Sequence, residues 1–197
     1  MKAIESAGER DKRRKRNQII LGVIMIGLML LSTAGYAVMN WEGTGTNSGK
    51  IKYGNYTLLL ENGFWTTEIN GEKFYFEFLP NETSGGNNLN LGGLKVYSDK
   101  PLYIVSQDSY LAGKVATNLG NSVERINPAC ISGENCTSSD LPVKNCSTDN
   151  VIIIKDYDKP TVEKKEKCVF IGAENYLDKK KAIDEFFYRL LGIKNKE

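Results

Sequence analysis

The pattern of hydrophobic and polar positions changes its period along the chain, and residues 53–79 show the clearest strand pattern. Aromatic and β-branched runs there are separated by two Asn-Gly pairs, Asn62-Gly63 and Asn70-Gly71. Both residues of such a pair accept the positive φ of a type I′ turn, so each pair predicts a tight hairpin. The stretch therefore predicts a three-stranded antiparallel meander.

The last strand of this meander has a strict period of two. Its phenylalanines recur at every second position: Phe74, Phe76 and Phe78. This alternation places the three rings on one face, against a core. It also places Glu77, the only acidic residue flanked by rings, on the opposite face, toward solvent.

Two later stretches have a helical period. In residues 106–126 the apolar positions recur three or four apart: Leu111, Val115, Leu119, Val123 and Ile126. Ser106 or Asp108 is placed to cap the start of this helix. In residues 178–194 one helical face carries Ile183, Phe186, Phe187, Leu190 and Leu191. Gly192 stands where the C-terminal cap of that helix belongs.

Short apolar runs elsewhere predict further strands. They are LKVY (94–97), LYIV (102–105), VIIIK (151–155) and CVFI (168–171). The polar segment between the last two, residues 156–167, is interpreted as a solvated turn. Strands and helices in this order predict an α+β domain over residues 53–197.

The N-terminal region has a different pattern, which predicts a membrane anchor. Residues 1–18 hold seven basic and three acidic residues, and residues 19–39 hold no charge. A helix over 21 residues spans roughly 30 Å, the thickness of the hydrocarbon core of a bilayer. The basic flank predicts a cytoplasmic N-terminus, a transmembrane helix over 19–39, a flexible tether over 40–52 and an extracytoplasmic domain.

Two other interpretations of this region remain open. Gly35-Tyr36-Ala37 offers small residues at the spacing of a signal-peptidase site, so a cleaved signal peptide competes with the anchor. A pilin-like N-terminus is the third interpretation, although no Gly or Ala immediately precedes the apolar run. All three interpretations place the domain outside the cytoplasm.

The charge distribution argues against nucleic acid as a partner. The formal net charge is +2, but outside the basic tail the chain carries 19 basic and 21 acidic residues. A basic run beside a membrane helix is explained by the positive-inside rule and by attraction to anionic headgroups. We therefore expect the membrane as a partner and no nucleic acid.

The four cysteines predict disulfide bonds: Cys130, Cys136, Cys146 and Cys168. Thiols outside the cytoplasm oxidise, and an even number in a modest domain is typical of a disulfide framework. The chain has no C-x(2–4)-C pair and no histidine, so the usual structural zinc sites are excluded. The turn-forming residues 131–135 favour the pairing 130–136 with 146–168 over the other two pairings. A redox-active or intermolecular pair is the alternative interpretation.

Four Asn-x-Ser/Thr sequons lie in the predicted outer domain, at Asn55, Asn81, Asn135 and Asn145. They are glycosylation acceptors wherever the host has the machinery for that modification. Asparagine and serine are also common turn residues, so a purely structural role is the competing interpretation.

The lack of histidine also limits the chemistry. It excludes Ser-His-Asp and Cys-His activation and the usual neutral-pH general base. No motif for a cofactor or metal is present. We therefore expect a single-pass, membrane-anchored binding protein of the cell envelope, whose partner is another envelope protein or a cell-surface component. A thiol–disulfide exchange protein is the competing hypothesis, and a carbohydrate-active enzyme is a weaker one.

Overall fold

A computed structural model describes residues 15–29, 49–84, 90–133, 136 and 140–194. The chain divides into two units, Met1–Asn47 and Ser48–Glu197. In the first unit, helix α1 (15–29) covers the beginning of the predicted membrane span. Residues 30–39 of that span lie outside the described residues. Among the helices that the structure describes, none is both long and apolar enough to cross a membrane.

The second unit is an α+β domain. Its strands are β1 (Lys50–Tyr53), β2 (Tyr56–Glu61), β3 (Phe64–Ile69), β4 (Glu72–Phe76), β5 (Pro101–Ser106), β6 (Arg125–Pro128), β7 (Cys130–Ile131), β8 (Val143–Lys144), β9 (Asn150–Lys155), β10 (Thr161–Lys165) and β11 (Cys168–Gly172). Its α-helices are α2 (Ser109–Leu119) and α3 (Tyr176–Leu190), and two short 3₁₀ turns cover Pro80–Glu82 and Leu94–Val96.

The predicted meander is present and has one strand more than expected. Strands β1 to β4 form an antiparallel sheet in chain order. The residues of both Asn-Gly turns have positive φ, with 51° at Asn62 and 55° at Asn70, as a type I′ turn requires. Strand β1 begins at Lys50, within the predicted tether 40–52. Residues 40–48 of that tether lie outside the described residues.

The larger sheet has the strand order β10-β11-β9-β5-β6. Strands β11, β9, β5 and β6 pair with one another in parallel, in that order. Strand β10 lies at the edge and pairs antiparallel with β11. Strand β9 is buried over Val151–Ile154, which agrees with the continuous apolar run that parallel strands covered on both faces require. The sequence predicts strands β5, β9 and β11, but it predicts neither β6 and β10 nor the parallel pairing.

Helix α3 lies between the two sheets. It contacts β11 and β10 of the larger sheet, and its Tyr188 ring stacks on Phe76 of the meander with centroids 4.2 Å apart. All of Ala182–Tyr188 is buried, far more than the single apolar face that its sequence predicts. Helix α2 packs beside α3, against β5 and along β4. One large core therefore joins both sheets and both helices.

A smaller core lies on the opposite face of the larger sheet. It is formed by Tyr103, Val151 and Ile153 of the sheet together with Ala129 and Ile131. The connection from β6 to β9, which contains the short β7–β8 pair, covers this face. Two layers of side chains thus bury both faces of the parallel strands.

Several local predictions need correction. Leu94–Val96 is a 3₁₀ turn and not a strand, because the preceding glycines, Gly92 and Gly93, have positive φ. The helix predicted over 106–126 ends at Leu119. Beyond it, the Ser122 carbonyl accepts a hydrogen bond from Asp99 N–H, and Glu124 N–H donates one to the Lys100 carbonyl. This segment therefore lies beside the backbone that enters β5. The predicted solvated turn 156–167 contains edge strand β10, whose charged residues suit an exposed edge.

Other local predictions are confirmed. Asp108 caps α2, since its side chain accepts a hydrogen bond from the N–H of Leu111. Gly192 follows α3 with a φ of 73°, the left-handed conformation that terminates a helix. Phe74 and Phe76 are fully buried, whereas Phe78 lies past the end of β4 and is half-buried.

Candidate functional site

A groove of about 690 Å³ lies between the meander and the outer face of α2. We call it the aromatic groove. Its lining residues come from the β2–β3 hairpin, β4 and α2: Glu61, Asn62, Phe64, Lys73, Tyr75, Glu77, Ser109, Tyr110, Gly113, Lys114, Thr117 and Asn118. This volume lies within the range of known binding pockets.

The strand and helix periods explain why these side chains converge. Tyr75 pairs with Thr66, so both side chains lie on the meander face opposite the buried Phe74 and Phe76. On α2, Tyr110, Gly113 and Thr117 recur at helical spacing on the face opposite the core. Because α2 lies along edge strand β4, these two outward faces form the walls of one groove.

Three exposed aromatic rings characterise this surface. Phe64 is 40% exposed, Tyr75 38% and Tyr110 49%. A single exposed ring is ordinary on a protein surface, but aromatic side chains concentrated in one concave area are typical of binding sites. Tyr110 is held in place by a hydrogen bond from its hydroxyl to the carboxylate of Glu77, at 3.2 Å.

The charges in and beside the groove neutralise one another. Lys73 pairs with Glu61 at one end. At the other end Glu77 binds Lys180 and Lys114, and Lys114 lies 2.9 Å from both Glu77 and Asp184. The groove therefore presents little net charge to a partner.

Glu77 does not face open solvent as its position in the alternation predicts. Its side chain is only 15% exposed, because lysines from α2 and α3 reach over the free edge of β4. Burial acts to raise the pKa of Glu77, but the ammonium groups of Lys114 and Lys180 hold it below its usual value. Glu77 is thus ionised and acts as the centre of an ion-pair network.

Asp184 is the buried end of that network. Its carboxylate accepts hydrogen bonds from the N–H groups of Glu77 and Phe78, at 2.9 and 3.1 Å. Burial raises the pKa of Asp184 to about 6, and the nearby ammonium of Lys114 opposes the increase. Its side chain is completely inaccessible, so it cannot reach a substrate in the groove and does not form a glycosidase-type carboxylate pair with Glu77.

The structure contains two disulfide bonds, as the even cysteine count predicts. They join Cys130 to Cys136 and Cys146 to Cys168, which is the pairing that the turn-forming segment favours. Cys168 is fully buried and ties β11 to the covering connection. Cys136 is exposed. Neither bond borders the aromatic groove.

Three predicted sequon asparagines are exposed: Asn55, Asn81 and Asn145. Asn135 lies outside the described residues. The side-chain oxygen of Asn145 accepts hydrogen bonds from both the N–H and the hydroxyl of Ser147, each at 2.9 Å. Glycosylation at these positions stays a prediction.

Sequence reasoning did not find the aromatic groove. The outer face of α2 has a pattern that could have indicated a binding surface. Tyr110, Gly113 and Thr117 recur at helical spacing opposite the apolar stripe. The position of α2 beside β4 depends on tertiary contacts that no local pattern encodes. Within the described ranges, no group of three or more Asp, Glu or Cys is arranged to hold a metal ion.

Comparison with protein-family models, with curated proteins and with solved structures finds no match to this chain.

Proposed function

We propose that the protein is a single-pass, membrane-anchored binding protein of the cell envelope. Its N-terminus lies in the cytoplasm and its α+β domain lies outside. The domain binds an extended, uncharged segment of another envelope protein in the aromatic groove. The convergence of Phe64, Tyr75 and Tyr110 on one groove is the observation that carries this proposal.

The location is supported by the sequence and by the disulfides. The uncharged run 19–39 follows a strongly basic tail, which favours an anchor with the domain outside. Two disulfide bonds in the domain suit an oxidising compartment.

The side chains of the aromatic groove support an extended, uncharged protein segment as the partner. Aromatic-lined grooves are a recurring means of binding extended peptide segments, because the rings give large contact area at little entropic cost. The acidic and basic groups at both ends are already paired with each other. A charged partner would therefore gain little from them, which favours an uncharged segment.

Site-specific photo-crosslinking in intact cells tests the proposal. A photoreactive amino acid at Thr117, an exposed residue of the groove, should yield a discrete adduct with a second protein. The same probe at Lys165, exposed on β10, is the control and should not yield that adduct.

A blocking variant makes the test specific. A side chain added at Gly113 meets no atom within 4 Å, so Gly113→Phe should fill the groove without disturbing the fold. The Thr117 adduct should then disappear. An adduct that persists in Gly113→Phe, appears equally at Lys165, or consists of carbohydrate would contradict the proposal.

Thiol–disulfide exchange is a second candidate, favoured by the exposure of Cys136. Such a protein should react at Cys130 and Cys136 with an alkylating reagent after mild reduction. Without alkylation, the reduced protein should reduce a disulfide substrate while Cys130 and Cys136 form their disulfide again. A binding protein with structural disulfides should show no alkylation under the same conditions.

A further inference from the structure

A lysine of α2 and an aspartate of α3 meet inside the domain. The Nζ of Lys114 lies 2.9 Å from the Oδ1 of Asp184, and the two side chains are only 8% and 0% exposed. Despite this contact, Asp184 Oδ1 has no hydrogen-bond partner among the residues that the structure describes. Buried polar atoms without a hydrogen bond are rare in folded proteins. The Lys114–Asp184 contact is therefore a candidate for chemistry beyond an ordinary ion pair.

The other oxygen of the same carboxyl group is held by the backbone. Asp184 Oδ2 accepts hydrogen bonds from the N–H groups of Glu77 and Phe78, at 2.9 and 3.1 Å. Two N–H donors on one oxygen stabilise the negative charge that develops there when a nucleophile attacks the adjoining carbon. Asp184 thus has one oxygen in an oxyanion-binding position and the other beside an amine.

Glu77 places a proton acceptor next to that amine. Its Oε1 lies 2.9 Å from Lys114 Nζ. Burial acts to raise the pKa of Glu77, but the ammonium groups of Lys114 and Lys180 hold it below its usual value, so Glu77 is ionised. Burial raises the pKa of Asp184 to about 6. A fraction of chains therefore carries the neutral Asp184 acid, which is the form that an amine attacks.

We propose that Lys114 and Asp184 form an intramolecular amide bond, with Glu77 as the catalytic residue that moves the protons. Glu77 takes a proton from the Lys114 ammonium, and the free amine attacks the carboxyl carbon of the neutral Asp184. Glu77 then protonates Oδ1, the bond from the carbon to Oδ1 breaks, and Oδ1 leaves as water. Glu77 takes a second proton from the new amide nitrogen and releases it to solvent. One C–N bond replaces one C–O bond, and the step needs no oxidant or reductant.

The burial of the pair favours the amide over the two charges. Each charge held in the interior carries a desolvation penalty, and a neutral amide removes both penalties. Fixed contact between the reacting groups acts like a very high concentration of amine, because effective molarities of well-oriented groups reach about 10⁵–10⁸ M. Glu77 keeps Lys180 as its partner after the reaction. The product joins α2 to α3 covalently.

Peptide mapping of the full-length protein purified from membranes tests the bond. Trypsin does not cut after a lysine whose amine is acylated. The linked chain should therefore yield residues 96–125 joined to residues 182–189, with a mass lower than the sum of the two peptides by one water. A chain without the bond is cut after Lys114 and yields residues 96–114 and 115–125 instead.

Refolding from unfolded, unlinked chains under oxidising conditions measures the rate. Proton transfer by a positioned side chain contributes about 10²–10⁴-fold, so Glu77→Gln should form the linked peptide at least about a hundredfold more slowly. Lys114→Gln should not form it. The matched control Glu163→Gln removes a carboxylate from an exposed ion pair with Lys165 and should link at the native rate. Cooperative unfolding shows that each variant is folded.

The linked and unlinked chains also differ in titration. Asp184 titrates only until the amide forms, so its contribution to the pH dependence of stability belongs to freshly refolded, unlinked chains. Their masses identify them.

Three results would overturn the assignment. The first is complete cleavage after Lys114 in folded native protein incubated near pH 6, the pKa of Asp184. The second is a linked peptide that joins Asp184 to a lysine other than Lys114. The third is equal rates of linking in Glu77→Gln and Glu163→Gln.

Discussion

At the scale of single residues, two side chains from the helices close the free edge of the meander. The Asn118 amide accepts a hydrogen bond from the N–H of Tyr75 at 2.8 Å and donates one to its carbonyl at 2.9 Å. The Asp184 carboxylate accepts hydrogen bonds from the N–H groups of Glu77 and Phe78, just beyond. An unprotected edge strand invites pairing with another chain. Asn118 and Asp184 therefore bind backbone groups of Tyr75, Glu77 and Phe78 at this edge, and Asn118 also lines the aromatic groove.

Asp184 should make an identifiable contribution to the pH dependence of stability. Burial raises its pKa from 3.8 to about 6 in the folded state. A raised carboxyl pKa stabilises the fold below the unfolded value, and that contribution is lost as pH rises through the folded value. Between pH 4 and 7 the loss is up to about 3 kcal/mol, at 1.36 kcal/mol per pKa unit.

Denaturant unfolding at several pH values, compared between the native protein and Asp184→Asn, measures this contribution. The difference in unfolding free energy, native minus variant, should decrease as pH rises from 4 to 7. The matched variant Asp156→Asn changes an exposed aspartate and should give a difference that varies little with pH. A native-minus-Asp184→Asn difference that increases over this range would show that Asp184 is ionised with a lowered pKa.

At the scale of elements, α2 has two distinct faces. Leu111, Val115 and Leu119 are buried in the core, while Tyr110, Gly113 and Thr117 line the aromatic groove. Glycine in the middle of a helix costs stability because it has the greatest backbone freedom to lose. Gly113 thus weakens α2 and leaves space in the groove.

Gly113→Ala should raise the free energy of unfolding by about 1 kcal/mol, because its Cβ meets no atom and alanine favours the helix. Gly120→Ala is the matched control at the end of α2. Its Cβ would lie 2.9 Å from the carbonyl oxygen of Ala116, so this change should give no gain. Thermal or denaturant unfolding measures the change in unfolding free energy for both variants. Equal stabilisation by both would contradict the open space at Gly113 and the close contact at Gly120.

The disulfides fix the connection that covers the smaller core. The bond between Cys146 and Cys168 closes a sequence separation of 22 residues, and that between Cys130 and Cys136 closes only six. The chain-entropy model assigns greater stabilisation to the longer loop.

Cys146→Ala and Cys168→Ala should each lower the free energy of unfolding by about 3 kcal/mol, because either change opens the same loop. Cys130→Ala and Cys136→Ala should form a second matched pair with a smaller effect. Denaturant unfolding under non-reducing conditions measures all four. If Cys146→Ala and Cys130→Ala instead lowered the unfolding free energy by the same amount, the disulfide bonds would connect different cysteines.

At the scale of the whole molecule, the proposed function requires a domain held outside the membrane by residues 19–39. The domain, Ser48–Glu197, has its own core and buries both faces of its larger sheet. It therefore has what a domain needs to fold at the end of a tether.

Protease treatment of intact cells tests this arrangement. Cleavage within residues 40–52 should release the domain and leave the basic tail with the cells. Vesicles of inverted orientation are the control, and in them the tail should be cleaved and the domain protected. Protection of the domain in intact cells would contradict the orientation, and a soluble domain beginning near Val38 would favour a cleaved signal peptide.

The sequence by itself determined the features that depend on near neighbours. The Asn-Gly turns at 62–63 and 70–71, the Asp108 cap and the turn after α3 at Gly192 each follow from the conformational preferences of a few adjacent residues. The turn-forming composition of residues 131–135 favours the short disulfide between Cys130 and Cys136, which the structure contains. The apolar runs of β9 and β11 likewise predict buried strands without reference to other parts of the chain.

Only the tertiary structure decided which of these elements became neighbours. The parallel pairing of β9 with β5 joins residues about 50 positions apart, such as Ile152 and Ile104, and apolar runs alone do not specify a partner or a direction. The aromatic groove depends likewise on a tertiary contact, the packing of α2 along β4. The ionic contacts of Glu77 depend on it as well, because its alternation pattern predicts a solvent-facing side chain until lysines from two distant helices are placed beside it.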